Sequence, residues 1–263
     1  MGIGLLKRLV FQLLAGFFTM FGSDSVLVFK FVVSKTGREY GVSHLSKLKL
    51  ATRIRRNCKR IPCLSTWQQH LLLAEEILQV PKSMKGIVVE CGCYAGASTA
   101  NLSLACALTN RRLVVCDSFE GLPRPKEDEK YEIRATSVDY YVWEEGEFNP
   151  DGGLEQVKKS VERFGNIEVC RFLKGYFKDT LKDMEADSIV LVFEDADLPS
   201  SVEDCLRYLW PKLQEGCKFY SHEPWAISVV GLFFDKQWWE NNLHTTPPGY
   251  YGSGRGILGG AQY

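Results

Sequence analysis

The sequence has little of what metal-binding and secreted modules are built from. It has only four histidines, and none of its nine cysteines forms a CxxC pair. Several cysteines lie inside apolar runs, where a free cysteine acts as a small hydrophobic side chain. The pattern therefore indicates neither a zinc module nor a disulfide framework, and it favours a reducing, cytoplasmic setting.

The chain also lacks net charge, since 32 Lys and Arg balance 32 Asp and Glu. A nucleic-acid-binding domain carries an excess of basic residues, so no nucleic-acid partner is expected. The charges are nevertheless unevenly distributed along the chain. Residues 1–60 hold twelve basic residues against Asp24 and Glu39 (12 − 2 = +10), which leaves −10 (20 − 30) for residues 61–263. The two parts are predicted to face different surroundings.

No apolar run reaches the roughly 20 residues that a helix needs to cross a bilayer. The longest covers residues 9–21, and a second, over residues 26–33, predicts a strand or the continuation of a surface segment. A basic, helix-compatible stretch follows up to residue 60. Two hypotheses stay open for residues 1–60: peripheral attachment to an anionic membrane, or a helix packed on the domain or on another subunit of a homo-oligomer. The predicted division is an extension over residues 1–64 and a domain over residues 65–263.

A GxGxxG fingerprint is absent, but a related arrangement is present. An apolar segment ending at Glu90 is followed by a turn with Gly92 and Gly96, a helix-forming segment, and a second apolar segment ending at Asp117. This order is typical of the nucleotide-binding half of a doubly wound sheet, in which glycines let the backbone approach the ligand. An acid that ends the second strand can accept hydrogen bonds from ribose hydroxyls. The spacing ExGxxxG suits a nucleoside with an amino-acid tail, because the carboxylate of Glu90 can hold a cationic group.

The rest of the chain alternates helices and strands. The pattern predicts helices over residues 154–165 and 200–216, and strands within residues 167–177, 187–198 and 217–225. The fold class is therefore α/β, a Rossmann-like, doubly wound and mostly parallel sheet, whose ligands bind outside the carboxyl ends of the strands. Seven residues of interest fall at that edge: Glu90, Asp117, Gly175, Asp195, Asp197, His222 and Glu223.

Three segments give the sequence a family resemblance. DSFEGLP follows the second strand, RFLKGYFKDTL surrounds the third, and a DxDLxSS segment follows the fourth. In this order, over roughly residues 65–225, they resemble the macrocin O-methyltransferase (TylF) family. The resemblance implies a class I methyltransferase whose sheet has one antiparallel strand inserted next to its edge. It also implies S-adenosylmethionine as cofactor, a divalent cation such as Mg²⁺ or Mn²⁺, and a hydroxyl acceptor on a sugar or another small polar metabolite.

The resemblance also implies a set of cofactor-binding residues. Glu90, Gly92 and Gly96 would line the methionine part, and Asp117 the ribose with Ser118 beside it. Gly175, Tyr176 and Phe177 would border the adenine. Tyr94 and Ser98, on the glycine turn and the helix that follows it, complete the set.

The catalytic residues show one departure from the family. Asp195 matches the first acid of the DxD segment, a metal ligand, and Asp197 the second, the base for the hydroxyl proton. The family completes the metal site with adjacent aspartates, where this sequence has His222 and Glu223. The predicted ligands are thus Asp195, His222 and Glu223, and the imidazole shifts the preference from magnesium towards manganese, iron or zinc. Alternatively the metal site is lost and His222 is itself the general base.

Two other functions stay open. The first is a catalytically silent, membrane-associated scaffold that still binds S-adenosylmethionine. The second is a nicotinamide-dependent oxidoreductase, which the missing GxGxxG disfavours. The segment over residues 123–153 is long for a connection, and it is either a lid that contacts substrate or a solvated insertion.

Overall fold

The computed structural model describes residues 12, 15–133, 140–186 and 188–248, and the backbone of 252–253 and 261–262. Its centre is a seven-stranded sheet in the order β5-β2-β1-β6-β7-β9-β8, and β3 and β4 form a separate hairpin. The strands are β1 (Ile87–Cys91), β2 (Leu113–Asp117), β3 (Tyr131–Ile133), β4 (Tyr140–Val142), β5 (Cys170–Lys174), β6 (Ile189–Glu194), β7 (Leu213–Ser221), β8 (Gly252–Ser253) and β9 (Ala261–Gln262).

Five of these strands are parallel neighbours, β5, β2, β1, β6 and β7. The short β9 lies antiparallel between β7 and β8. The predicted fold class is thus confirmed, including the inserted antiparallel strand that the family resemblance implies.

Helices cover both faces of the sheet and give it two hydrophobic cores. Strand side chains alternate between them: Val88 of β1 lies in one core, whereas Ile87 and Val89 lie in the other. The first core is covered by α1 (Ser25–Val33), α2 (His44–Asn57), α3 (Trp67–Gln79), α4 (Ala97–Thr109) and α5 (Gly153–Phe164). The second is covered by α6 (Phe177–Thr180), α7 (Pro199–Leu209), α8 (Ile227–Leu232) and α9 (Lys236–Leu243).

The N-terminal segment is helical where the sequence pattern predicts a strand. Residues 26–33 lie in α1, and the helix extends back to Ala15 through a short 3₁₀ segment at Gly22–Asp24. Of the two alternatives predicted for residues 26–33 the strand is wrong and the continuation of the preceding segment is what the structure has, since Val28 and Phe31 are fully buried against the domain and this packing overrides the β propensity of the valines. By length and composition alone, the continuous helix Ala15–Val33 could cross a membrane. The apolar run over residues 9–21 is too short to do so. Residues 1–11, 13 and 14 of the predicted extension lie outside the described residues.

The boundary between α7 and β7 also differs from the prediction. The helix predicted over residues 200–216 ends at Leu209, a 3₁₀ turn follows at Trp210–Lys212, and β7 begins at Leu213. Pro211 explains the early end, because proline has no N–H and disfavours a helical residue before it. β7 is consequently longer than predicted, and it delivers His222 and Glu223 to the carboxyl edge of the sheet.

Candidate functional site

A cavity of about 1080 Å³ opens at the carboxyl ends of the parallel strands. This is the edge at which doubly wound sheets bind their ligands. Ten of the sequence-predicted residues line it: Gly92, Tyr94, Ser98, Asp117, Ser118, Tyr176, Phe177, Asp195, Asp197 and His222. Four lie behind the wall: Glu90, Gly96, Gly175 and Glu223.

The glycine turn after β1 forms one side of the cavity. Gly92 has a φ of +83°, and a Cβ at this position would lie 1.8 Å from the backbone oxygen of Asp195. No side chain fits there, so the turn packs directly on the loop that follows β6. The carboxylate of Asp117 fixes the turn from the other side, since it accepts hydrogen bonds from the amides of Cys93 (2.7 Å) and Phe119 (2.6 Å).

Glu90 is a carboxylate enclosed in the sheet behind this turn. Its side chain is fully buried, and neither oxygen has a hydrogen-bond partner in the described part of the chain. Burial raises its pKa to about 8, an effect that the hydroxyls of Ser98 and Thr99 partly offset. Such a group is costly to bury unless something cationic approaches it.

The loops after β2 and β5 form the adjoining wall. The Ser118 hydroxyl donates a hydrogen bond to the carbonyl of Gly121 (2.7 Å), and the Gly175 amide donates to the carbonyl of Asp117 (2.9 Å). The first contact stabilises the loop after β2 and the second joins it to the loop after β5, and Tyr176 and Phe177 at the start of α6 line the cavity.

A cluster of acids and one imidazole lies across the cavity, at the ends of β6 and β7. His222 Nδ1 lies 3.0 Å from Asp195 Oδ1 and 3.4 Å from Glu223 Oε1. One potential ligand atom from each of the three lies within 4.8 Å of the others. The structure thus brings together the three predicted metal ligands, although they come from two different strands.

Electrostatics in the cluster favour a positive charge among the acids. Burial by itself would raise the pKa of Asp195, but the charge of His222 and its hydrogen bond outweigh burial and lower it. Burial by itself would lower the pKa of His222, but Asp195 and Glu223 raise it well above its ordinary value. Glu194 and Glu223 are completely buried, and burial raises the pKa of each. Glu194 Oε2 and Glu223 Oε1 have no hydrogen-bond partner among the described residues.

Asp197 sits between this cluster and the open cavity. Its backbone is left-handed, with a φ of +61°, a conformation that non-glycine residues adopt rarely and that concentrates at functional sites. Burial, together with the negative charge of Asp195, raises its pKa well above the ordinary value. A carboxylate of this kind accepts a proton readily.

An aromatic wall faces the cavity from the long segment before α5, and the sequence motifs do not predict it. Tyr141, Trp143 and Phe148 line the cavity together with Trp225, and the rings of Trp143 and Trp225 lie 6.0 Å apart. The only sequence signal was the segment's unusual length. Two buried acids anchor the segment by capping helices, in accord with the preference of helix N-termini for negative charge. Glu129 accepts from the amide of Ser200 in α7, and Glu132 from the amide of Ser228 in α8.

A second potential metal-binding group borders the cavity, contrary to the expectation drawn from cysteine spacing. Cys58, Cys63 and His70 offer ligand atoms within 4.8 Å of one another, and Cys63 lies on the cavity wall. Four residues separate Cys58 from Cys63 and six separate Cys63 from His70, a spacing that matches no common zinc motif, and the three side chains meet only where α2 has ended and α3 begins.

Comparison with known proteins decides the family. The family model described as macrocin O-methyltransferase (TylF) matches residues 68–220, more than half of the chain. The chain belongs to this family. The predicted family is thereby confirmed, and the matched residues contain β1, β2, β5, β6 and most of β7, the strands that carry the cavity.

Curated relatives of this TylF-family chain cover only part of it. It is 34% identical over 140 residues to a 4'-O-methyltransferase of 8-demethyl-8-(2,3-dimethoxy-alpha-L-rhamnosyl)-tetracenomycin-C from Streptomyces olivaceus, which is half of each chain. It is 28% identical over 146 residues to demethyldecarbamoylnovobiocin O-methyltransferase from Streptomyces niveus, 52% of each chain. The chain thus spans about half the length of the curated relatives it matches.

Solved structures support the fold. The O-methyltransferase NovP superposes with a TM-score of 0.55 at 20% identity, covering 82% of this chain and 79% of that one. The calicheamicin methyltransferase CalS11 gives the same TM-score at 17% identity, covering 82% and 91%. At these identities the likeness establishes the fold alone.

Proposed function

We propose that this protein is an S-adenosylmethionine-dependent O-methyltransferase that acts on a hydroxyl of a sugar or another small polar metabolite, assisted by a divalent cation. One observation carries the proposal. A single cavity joins a glycine turn and a strand-ending acid, suited to a nucleoside, to a carboxylate–imidazole cluster, suited to a cation. Methyl transfer to a hydroxyl needs both halves side by side, because it depends on the alignment of donor, acceptor and base.

The residues present fit the cofactor. Gly92 lines the cavity without a side chain, and the carboxylate of Asp117 lies on the same wall, where it would bind the ribose hydroxyls. The unpartnered carboxylate of Glu90 provides a counter-charge for a cationic amino-acid tail near this turn. Tyr94 and Ser98 would complete the methionine side, and Tyr176 and Phe177 would border the adenine.

The residues present also fit a divalent cation. Asp195, His222 and Glu223 would hold it, and the cluster sets one imidazole against the three acids Glu194, Asp195 and Glu223. The bound cation would supply Lewis-acid chemistry, lowering the pKa of an acceptor hydroxyl. An imidazole in the ligand set favours Mn²⁺ over Mg²⁺.

Asp197 would take the proton of the acceptor hydroxyl. It lines the cavity, and its raised pKa suits proton transfer from a weak acid. His222 is the weaker candidate for this base, because its Nδ1 already contacts two carboxylates that hold the ring in its protonated form.

The acceptor side is supported by the aromatic wall and by the relatives. Tyr141 and Trp225 line the cavity with aromatic rings that the buried Trp143 supports, and Arg124, Lys126 and Arg207 line the same cavity. Such surfaces suit a sugar, which presents apolar C–H groups on its faces and hydroxyls at its rim. A relative that methylates a rhamnosyl compound supports a sugar hydroxyl as acceptor. The nine free cysteines suit the reducing setting of the cytoplasm, where the protein would work.

Methyl transfer to a panel of glycosides and small polyols, with labelled S-adenosylmethionine, tests the function. We expect transfer that needs an added divalent cation, and a fall of about 10²- to 10⁴-fold in kcat for Asp197→Asn with unchanged cofactor affinity. Full activity of Asp197→Asn would contradict the assigned base. Intact cofactor binding without turnover on any acceptor would favour the catalytically silent alternative.

We also propose peripheral membrane contact through the N-terminal helix. Phe21, Val28 and Phe31 pack on the domain, which leaves an exposed apolar stripe at helical spacing, consisting of Phe18, Val26, Phe29 and Val33. Exposed basic side chains follow in and after α2: Lys49, Arg53, Arg56, Lys59 and Arg60. An apolar stripe near basic side chains is the pattern of an interfacial helix on an anionic surface.

Co-sedimentation with anionic lipid vesicles tests this contact. The double variant Phe18→Ser/Phe29→Ser leaves the core intact, and we expect it to weaken partitioning at least tenfold, since burying one Phe is worth about 1.5–3 kcal/mol. Leu64→Ser, another exposed apolar residue, serves as the control. Equal sedimentation of all three proteins would contradict membrane contact, and loss of a dimer in the double variant would assign the stripe to another subunit.

A further inference from the structure

Cys58, Cys63 and His70 form a compact cluster that the proposed reaction does not use. Cys58 ends helix α2, Cys63 lies in the connection that follows, and His70 is fully buried in the first turns of α3. Cys58 Sγ lies 3.3 Å from His70 Nδ1, and one ligand atom of each residue lies within 4.8 Å of the others. Two thiols and an imidazole at this separation are a typical ligand set for a thiophilic cation.

A chain of hydrogen bonds determines which nitrogen of His70 is unprotonated. The Asn57 side-chain nitrogen donates to the carbonyl of Phe164 (3.1 Å) and to Asn101 Oδ1 (2.8 Å). The other end of the Asn101 amide, Nδ2, therefore faces His70 Nδ1 at 2.8 Å and donates to it. His70 Nδ1 is thus an acceptor, and its proton lies on Nε2, which donates to Ser65 Oγ (2.7 Å).

We propose that this cluster binds one thiophilic divalent cation of the Zn²⁺ class, through Cys58 Sγ, Cys63 Sγ and His70 Nδ1. The two thiols lose their protons to solvent when the cation binds, and the cation replaces Asn101 Nδ2 as the partner of the unprotonated His70 Nδ1. The fourth position would face the cavity, because Cys63 lies on its wall. Water would fill it, in a three-ligand arrangement that keeps one position open.

The surroundings provide the outer contacts that such a site needs. The Nε2–H of His70 donates to Ser65 Oγ, which holds the ring with Nδ1 towards the sulfurs. Asn101 Nδ2 lies 3.4 Å from Cys58 Sγ and can donate to it once Cys58 is a thiolate. Outer contacts of this kind are worth roughly 10- to 100-fold in metal affinity.

The cation would fasten the N-terminal helices to the catalytic domain. It would link the end of α2 to α3, and the two bound cysteines would set the path of residues 58–63 along the cavity rim. The site is distinct from the Asp195 cluster, which offers no sulfur, so sulfur-specific signals separate the two.

Titration of the reduced, full-length protein with Co²⁺ tests the site. We expect one equivalent to give a sulfur-to-cobalt charge-transfer band and the visible bands of tetrahedral geometry, both removed by Zn²⁺. Cys63→Ser and His70→Gln should lose these signals, and Asn101→Ala should weaken binding about 10- to 100-fold. Cys217→Ser, a similarly part-buried thiol elsewhere, and Asp195→Asn should leave them unchanged.

Three results would overturn the proposal. The first is a wild-type protein that shows no charge-transfer band although all nine of its thiols are reduced. The second is a band that survives in Cys63→Ser, shown by circular dichroism to be folded. The third is a protein that binds no cation at any concentration but forms a Cys58–Cys63 disulfide when treated with a disulfide such as oxidised glutathione. This result would assign the two cysteines to thiol exchange instead.

Discussion

At the scale of single residues, Glu90 carries the largest unbalanced cost in the cavity region. It occupies an interior position of a fully buried strand, where a hydrophobic residue would pack without penalty. An ionisable group at such a position is retained at the expense of stability, so its explanation lies in what approaches it.

The pKa of Glu90 predicts how the stability of the protein depends on pH. In the unfolded chain the group ionises near 4.5, whereas in the folded protein it holds its proton up to about 8. Between these values the folded state binds more protons, so the free energy of unfolding falls as pH rises. Glu90→Gln removes this contribution, and we expect its stability relative to wild type to rise from about pH 5 to about pH 8.

Urea denaturation across this pH range measures the effect. Glu215→Gln, at an exposed position, is the matched control and should run parallel to wild type. If Glu90→Gln also ran parallel to wild type, the raised pKa would be wrong. Saturating S-adenosylmethionine should flatten the wild-type curve, since a cationic group beside Glu90 favours its ionised form.

Motif spacing predicts the residues whose neighbours in sequence carry a recognisable pattern, and it misses the others. Asp195, His222 and Glu223 could be placed from the ends of two strands, because the carboxyl ends of parallel strands meet at one edge. Trp143 reaches the cavity from a long insertion with no motif. The Cys58 cluster depends on how α2 packs against α3, which no spacing rule for cysteines contains.

At the scale of elements, the glycine turn after β1 is both tightly packed and part of the proposed cofactor site. Its conformation is stabilised by Asp117 from one side and by the loop after β6 from the other. The close backbone approach at Gly92 makes the turn intolerant of a methyl group, and the same approach leaves the space into which a ligand fits.

Two glycines with nearly equal φ separate steric from conformational effects at this turn. Gly92 (φ +83°) leaves no room for a Cβ, whereas Gly216 (φ +78°) has nothing within 4 Å. We expect Gly216→Ala to lose about 1 kcal/mol of stability because of its backbone conformation alone. Gly92→Ala should lose about 1–3 kcal/mol more because of overpacking, together with its affinity for S-adenosylmethionine.

Thermal and urea unfolding of both alanine variants, with cofactor titration, check this difference. Equal losses would mean that the loop after β6 yields freely and that the turn is not constrained by it. Retained cofactor affinity in Gly92→Ala would separate the turn from the proposed binding site.

The sequence predicts best those elements whose conformation depends on residues close together in the chain. The strand–turn–helix unit around Gly92 and the helix α5 could be read from periodicity and glycines. Residues 26–33 could not, because valine and phenylalanine favour strands until burial of Val28 and Phe31 decides for a helix. The end of α7 could have been predicted from Pro211.

At the scale of the whole molecule, the fold combines a family core with an N-terminal extension that the family model does not match. The matched residues carry the sheet edge and the segment anchored by Glu129 and Glu132, from which Tyr141 and Trp143 line the cavity. α1 and α2 share one hydrophobic core with α3 and α4, so the N-terminal helices are structurally continuous with the domain. The division at residue 64 stays a prediction.

The central claim is that the cavity binds S-adenosylmethionine beside a cation site, and calorimetric titration tests it most directly. Wild-type protein should bind one equivalent in the micromolar range, with an additional heat when Mn²⁺ is present that Asp195→Asn abolishes. Asp117→Asn should weaken cofactor binding, whereas Asp151→Asn, at an exposed position, should not. No binding of S-adenosylmethionine under any condition would contradict the account and leave only the fold.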